Sequence, residues 1–197
     1  WHISDAAYGE ALGRLIDVHR PLPLSALWGD GTTSSSDGQL FQAGGRGAAI
    51  GDINARNGNE PGVSFYTHVS DQYDPFASRV IAATAGEAPY VLDGLLYHAT
   101  GLSIEEHYTD TGGASDHVFG LMPFFGYRFA PRLRDLKDRR LHLLPGQEAG
   151  PLLAGMTGDP VALGHVAAHW DELLRLTTSI RSGTATASAM LRRLSAY

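Results

Sequence analysis

Asp37 and Asp110 are the residues whose type and setting suit chemistry best. Asp37 lies in an extended stretch rich in Thr and Ser and is followed by Gly38, while Asp110 ends the strand-like run 103–109 and precedes Thr111-Gly112-Gly113. If those two strands are neighbours in a mixed sheet, both carboxylates meet at one end. Two such groups repel unless a cation joins them. Hard oxygen ligands select Mg²⁺ or Mn²⁺. Two such ions, roughly 3.5–4 Å apart, can activate an attacking hydroxyl and stabilise a leaving oxygen on phosphorus. The plainer use of both residues is as loop or capping aspartates. Asp30 competes with Asp37, because both precede a glycine in the same stretch. Ser115 or Asp116 can cap the helix that follows, with Asp116 read as an N-cap; Asp93 reads as an exposed helix residue, and Asp71 has no preferred reading.

The histidines offer less. His165, His169 and Glu172 fall near one face of a helix and suit zinc by residue type. Their order is not His-Glu-x-x-His, and a polar helix face explains them as well. His68 and His107 fall inside expected strands and read as satisfied core histidines. His117 follows Asp116 in a loop close to Asp110 and is a candidate contact for substrate phosphate. The run Gly44-Gly45-Arg46-Gly47 lacks the Lys-Ser/Thr of a P-loop. A Gly-x-Ser-x-Gly elbow is absent, which argues against serine hydrolase chemistry.

Composition narrows the field. In 197 residues there is no cysteine, so disulfide scaffolds, Cys-ligated zinc, iron–sulfur centres and thiol nucleophiles are excluded. No apolar run approaches the ~20 residues needed to span a bilayer, and no signal peptide opens the chain. The expectation is a soluble, intracellular protein, and a start at Trp1 suggests a piece of a longer one. The net charge of −6 opposes non-specific polyanion binding, yet six of the 15 basic residues crowd between positions 128 and 140: Arg128, Arg132, Arg134, Lys137, Arg139 and Arg140. Such a strip serves either as a solvated loop or as a nucleic-acid contact. Fourteen Arg against one Lys is consistent with a GC-rich bacterial coding sequence.

The elements that must carry these residues follow from periodicity and turn signals. Residues 1–20 predict a helix that Pro21 and Pro23 end. Residues 24–43 are extended, and a loop over 44–62 carries turn signals at Asn57-Gly58 and Pro61-Gly62. Strands are expected over 64–69 and 78–83, and a helix over 88–100 closed by Gly101. A strand over 103–109, a helix reaching 125 and a strand over 127–130 come next. A long amphipathic helix over 161–182, with Val166, Trp170, Leu173 and Leu174 inward, ends at Gly183. A last helix covers 184–197. The fold class is α/β: a three-strand meander, then helix–strand–helix–strand, with flanking helices. That order suits a ribonuclease-H-like mixed sheet. The expected division is a flanking helix over 1–23, a core over 24–135 and a helical extension over 136–197.

Read together, the segments GDGTTSSSDGQ (29–39), YTHVSDQY (66–73), YVLDGLLYH (90–98), EEHYTDT (105–111), SDHVF (115–119), GYRFAPRLRD (126–135) and AHWDE (168–172) resemble the C-terminal catalytic region of Tn3-family transposases, which serve replicative bacterial transposons. The resemblance covers nearly the whole chain. It implies a ribonuclease-H-like Asp-Asp-Glu catalytic core, with Asp37 and Asp110 as its two metal-binding aspartates and Asp37 preferred to Asp30. It implies that the third member, a Glu on a later helix, lies beyond Tyr197, so that this piece is inactive alone.

The chemistry it implies is phosphoryl transfer on DNA with Mg²⁺ or Mn²⁺, two ions when the catalytic set is complete. Water cuts at each transposon end, and the freed 3′ hydroxyl attacks target DNA. The basic strip then contacts DNA phosphates. Implied too are a homodimer in the full-length protein, no membrane partner and a cytoplasmic, nucleoid-associated setting. A non-catalytic DNA-binding or assembly remnant is the alternative. A ribonuclease-like hydrolase would need a third carboxylate within these residues, for which Glu105, Glu106 and Glu172 are poor candidates.

Overall fold

The computed structural model describes residues 3–44, 51–55 and 58–195. The run at 45–47 and Asn57 lie outside the described residues. Two compact units emerge: Trp1–Arg132 together with Ala185–Tyr197, and Leu133–Thr184. The last helix is grouped with the first unit.

The first unit opens with α1 (Asp5–His19), whose N-cap Ser4 accepts the Ala7 amide at 3.2 Å. Strands β1 (Thr33–Gln42), β2 (Asp52–Ile53), β3 (Pro61–Ser70) and β4 (Pro75–Ala82) follow. Then come α2 (Val91–Leu96), β5 (Glu106–Thr109), α3 (Asp116–Leu121), β6 (Arg128–Phe129) and, after the second unit, α6 (Ala187–Leu194). Among the described residues the sheet runs β2-β3-β1-β5-β6, with β4 also on β3. β1 is antiparallel to β3, from Ser34↔Ser70 to Gln42↔Gly62, and β3 to β4. On its other side β1 is parallel to β5, and β5 to β6. The α/β class is as expected, with a curled mixed sheet flanked by helices.

Alternation sends one face of the sheet into the core. There Tyr66 and His68 of β3 and His107 of β5 are buried, with Ile16 of α1, Val91, Leu92 and Leu95 of α2, Val118 of α3 and Leu191 of α6. Gly94 lets α2 sit close on β3, because a Cβ there would overlap the His68 ring.

Several elements depart from expectation. The helix expected over 88–100 is a 3₁₀ turn, Ala88–Tyr90, leading into α2, which stops at Leu96. Gly101 is not its cap: its amide donates to Asp17 at 2.7 Å and its carbonyl accepts from Arg20, so tertiary bonds to the region of α1 replace the helical ones. Ser115, not Asp116, is the N-cap of α3, accepting the Val118 amide at 3.3 Å. Asp93 is buried rather than exposed, with Arg79 of β4 at 2.6 Å and the Ser188 amide of α6 at 3.0 Å.

In the second unit, the long helix expected over 161–182 is two: α4 (Leu163–Ala168) and α5 (Trp170–Arg181), broken at His169. The expected inward stripe does not form, since Trp170 and Leu174 are exposed, and Thr177 and Ile180 are the buried positions of α5. Gly183, with φ +73°, closes α5 as expected.

Asp93, itself buried, joins β4, α2 and α6 through charge-assisted bonds to the half-exposed Arg79 and to buried Ser188. Asp93→Ala should cost about 3 kcal/mol in urea denaturation, since Arg79 and Ser188 lose their partner. Arg14→Ala, which breaks the exposed Glu10 pair at 2.6 Å, should cost about 0.5 kcal/mol or less.

Candidate metal centre

The pairing of β1 with β5 runs from Thr33↔Glu106 to Ser36↔Thr109 and stops. The next residue on one chain segment is Asp37, and on the other Asp110. Asp37, still within β1, and Asp110, just past β5, are therefore neighbours at the end of this parallel pair. A third carboxylate joins them from the connection between β4 and α2. One oxygen from each of Asp37, Glu87 and Asp110 lies within 4.8 Å of the other two, and no other such group of carboxylates, histidines or cysteines occurs among the described residues.

Local backbone fixes each aspartate. The Gly38 amide donates to Asp37 Oδ1 at 2.8 Å. Asp110 caps the short 3₁₀ turn Thr111–Gly113, its Oδ1 accepting the amides of Gly112 at 2.7 Å and Gly113 at 3.3 Å. A carboxylate offers about four lone-pair positions, so both keep oxygens for an ion. Glu87 fits a notch between two glycines. A Cβ at Gly38 would overlap Glu87 Oε1, and one at Gly112 would stand 3.1 Å from Glu87 Oε2 and from Asp110 Oδ1.

Charge follows from this geometry. Asp37 and Asp110 are exposed, and Glu87 is half-buried. Burial first, then the Asp110 and Asp37 charges, push the Glu87 carboxyl up to about 7 from 4.5. Nearby, burial chiefly raises the Tyr66 phenol; the three carboxylates add to that shift and a hydrogen bond with Ser36 opposes it. Three oxygen donors that repel one another and leave room between them suit a hard divalent cation.

Other candidates are placed elsewhere. Asp30 accepts the amide and hydroxyl of its neighbour Thr32 at 3.1 and 2.6 Å, bonds that lower its pKa, and it is not in the cluster. Asp71 accepts the Gly31 amide at 2.9 Å. Glu105, Glu106 and Glu172 do not join the cluster either; Glu106 pairs with Arg128 at 3.1 Å and Glu172 with Arg175 at 3.4 Å. His117 is exposed on the first turn of α3, not in a loop. His165 and His169 touch ring to ring, with no metal group formed there among the described residues. The six basic side chains are all exposed. Arg128 and Arg132 belong to the first unit, and Arg134, Lys137, Arg139 and Arg140 to the second.

A family model described as the Tn3 transposase DDE domain matches residues 1–197. The chain belongs to that family. Its relatives include the transposase of transposon Tn501 from Pseudomonas aeruginosa, 53% identical over 197 residues, which are all of this chain and 20% of the relative. The Tn21 transposase from Escherichia coli is 51% identical over 197 residues, again all of this chain and 20% of the relative. The gamma-delta transposase of Escherichia coli K12 is 34% identical over 184 residues, 93% of this chain and 18% of the relative. The chain thus spans about a fifth of the length of the curated relatives it matches. No solved structure matches it significantly.

Glu87 went unread in the sequence. The available signal was an acidic residue at a strand-to-helix junction, in Gly86-Glu87-Ala88-Pro89, which says nothing of its spatial neighbours. In this Tn3-family domain its raised pKa makes a testable linkage. Between pH 4.5 and 7 the folded chain holds a proton that the unfolded chain releases, so stability falls as pH rises through that window. Without divalent ions, Glu87→Gln should stabilise the chain at pH 8 by on the order of 1 kcal/mol, the solvent-exposed half of the group reducing the gain. At pH 4 urea titrations should show no difference.

Proposed function

We propose that the chain is the catalytic region of a DNA transposase, cutting transposon ends to free 3′ hydroxyls and joining them to target DNA in replicative transposition. The observation that carries this reading is the convergence of Asp37, Asp110 and Glu87 at the end of one parallel strand pair. The antiparallel meander β1-β3-β4, continued by parallel β5 and β6, supports a ribonuclease-H-like core.

In this reading Asp37 and Asp110 are the first two members of an Asp-Asp-Glu set, and the third is a Glu on a helix beyond Tyr197. The bound ion is Mg²⁺ or Mn²⁺, with a second when the set is complete; it supplies Lewis acidity toward an attacking oxygen and a leaving oxygen on phosphorus. The chain's own work is positional. The amides of Gly38, Gly112 and Gly113 hold the two aspartates so that ions and scissile phosphate meet them without reorganisation. His117 contacts substrate phosphate. Arg128, Arg132, Arg134, Lys137, Arg139 and Arg140 contact transposon-end or target phosphates, which fixes register without reading sequence. The working protein is a homodimer on DNA.

In the complete polypeptide, Asp37→Ala or Asp110→Ala should lower transposon-end cleavage about a thousandfold or more while gel-shift binding to end DNA survives. Undiminished cleavage removes the assignment. Arg132→Ala and Arg139→Ala should each weaken binding equally for specific and unrelated DNA and reduce the slope of log K against log salt by about 0.9. Arg128→Ala should do less, because Glu106 already neutralises part of that charge.

A further inference from the structure

His107 has no solvent exposure and is not part of the acidic cluster, yet both of its ring nitrogens are hydrogen-bonded. Its Nδ1 lies 2.8 Å from Ser34 Oγ and its Nε2 lies 2.9 Å from Ser36 Oγ. Ser36 Oγ lies in turn 2.7 Å from the Tyr66 hydroxyl on β3. One imidazole thus bonds two positions of β1 at once, and the chain of bonds crosses three strands. The ring is stacked between His68, with centroids 5.2 Å apart, and Phe129, at 6.4 Å. Burial, with a smaller contribution from His68, lowers its pKa to about 2. The neutral ring carries one N–H and one lone pair. It therefore donates to one serine and accepts from the other, and both prongs are satisfied.

The place of this ring matters. Ser34 is the register partner of His107, and the parallel pair spans four residues on each side. So short a pair is weakly specified by backbone bonds alone, and a slip of one residue would shift one strand by about 3.3 Å and reverse its faces. Asp37 follows Ser36 directly, and Asp110 lies three residues past His107.

We propose that His107 is a positioning residue: its two-pronged bond to Ser34 and Ser36 locks the register of β1 and β5 and so sets the separation of the Asp37 and Asp110 carboxylates. The inference rests on the metal reading above for its catalytic consequence, but not for the register itself.

The test compares His107→Phe, which keeps an aromatic ring between His68 and Phe129, with His107→Gln, which keeps a donor and an acceptor. Amide hydrogen exchange reads the register, and Mn²⁺ titration followed by electron paramagnetic resonance reads the carboxylates. The Phe variant should lose protection at 33–36 and 106–109 while the amides of the β3/β4 pair stay protected, and should bind Mn²⁺ at least tenfold more weakly. The Gln variant should recover most of both. A merely structural role predicts uniform loss of protection with Mn²⁺ affinity unchanged in the folded fraction, and that result overturns the proposal. If the Phe variant does not fold, Ser34→Ala with Ser36→Ala removes the same bonds with little change of volume and decides by the same readouts. If the unaltered protein binds no Mn²⁺, the metal reading fails instead; exchange alone then decides, and unchanged protection at 33–36 and 106–109 overturns the register lock.

Discussion

The site depends on where one pair of strands stops bonding. β1 and β5 run parallel from Thr33↔Glu106 to Ser36↔Thr109, and the first residue past the last pair is an aspartate on both sides. β1 continues, held by β3 as far as Gln42↔Gly62, so Asp37 sits on a strand secured on its other edge. β5 ends, and Asp110 turns its carboxylate back onto the amides of Gly112 and Gly113. Backbone geometry brings two like charges together. That arrangement is unfavourable by itself and favourable once a divalent cation is present.

Glu87 sharpens the same conflict. It enters from the β4–α2 connection into a space that exists because position 38 and position 112 have no side chain. A half-buried carboxyl beside two others holds its proton to about pH 7. A cation would displace that proton, and the local sign of charge would then reverse from repulsion to attraction. The buried layer beneath, built on His107, Ser36 and Tyr66, is hydrogen-bonded throughout, so the carboxylates stand on a rigid base.

Much of this was legible from the sequence. Asp37 and Asp110 stood out because one sits beside Gly38 within an extended stretch and the other ends a strand signal before Thr111-Gly112-Gly113, and strand order made them candidate neighbours. The family resemblance ran through the same residues. His68 and His107 read as satisfied core histidines, and they are. What escaped were contacts that join distant segments. Glu87 has no local signature, since its role comes from the glycines at 38 and 112. Asp93 looked like a solvent-facing helix residue because α6, which buries it through Ser188, lies 95 positions away. The helix over 88–100 had good apolar spacing, but bonds from Asp17 and Arg20 to Gly101 claim its last turn. The stripe Val166, Trp170, Leu173 and Leu174 fitted one continuous helix, and the break at His169 divides it. In each case a tertiary contact or backbone break overrode a pattern that was locally sound.

The claim on which the account stands is that Asp37, Glu87 and Asp110 share an ion. Crystals soaked in Mn²⁺ and measured at the manganese absorption edge address it directly. An anomalous peak about 2.1–2.3 Å from oxygens of Asp37 and Asp110, with Glu87 turned toward it, is the predicted result. Well-ordered carboxylates with no peak between them at millimolar Mn²⁺, or a peak held by other residues, would contradict it.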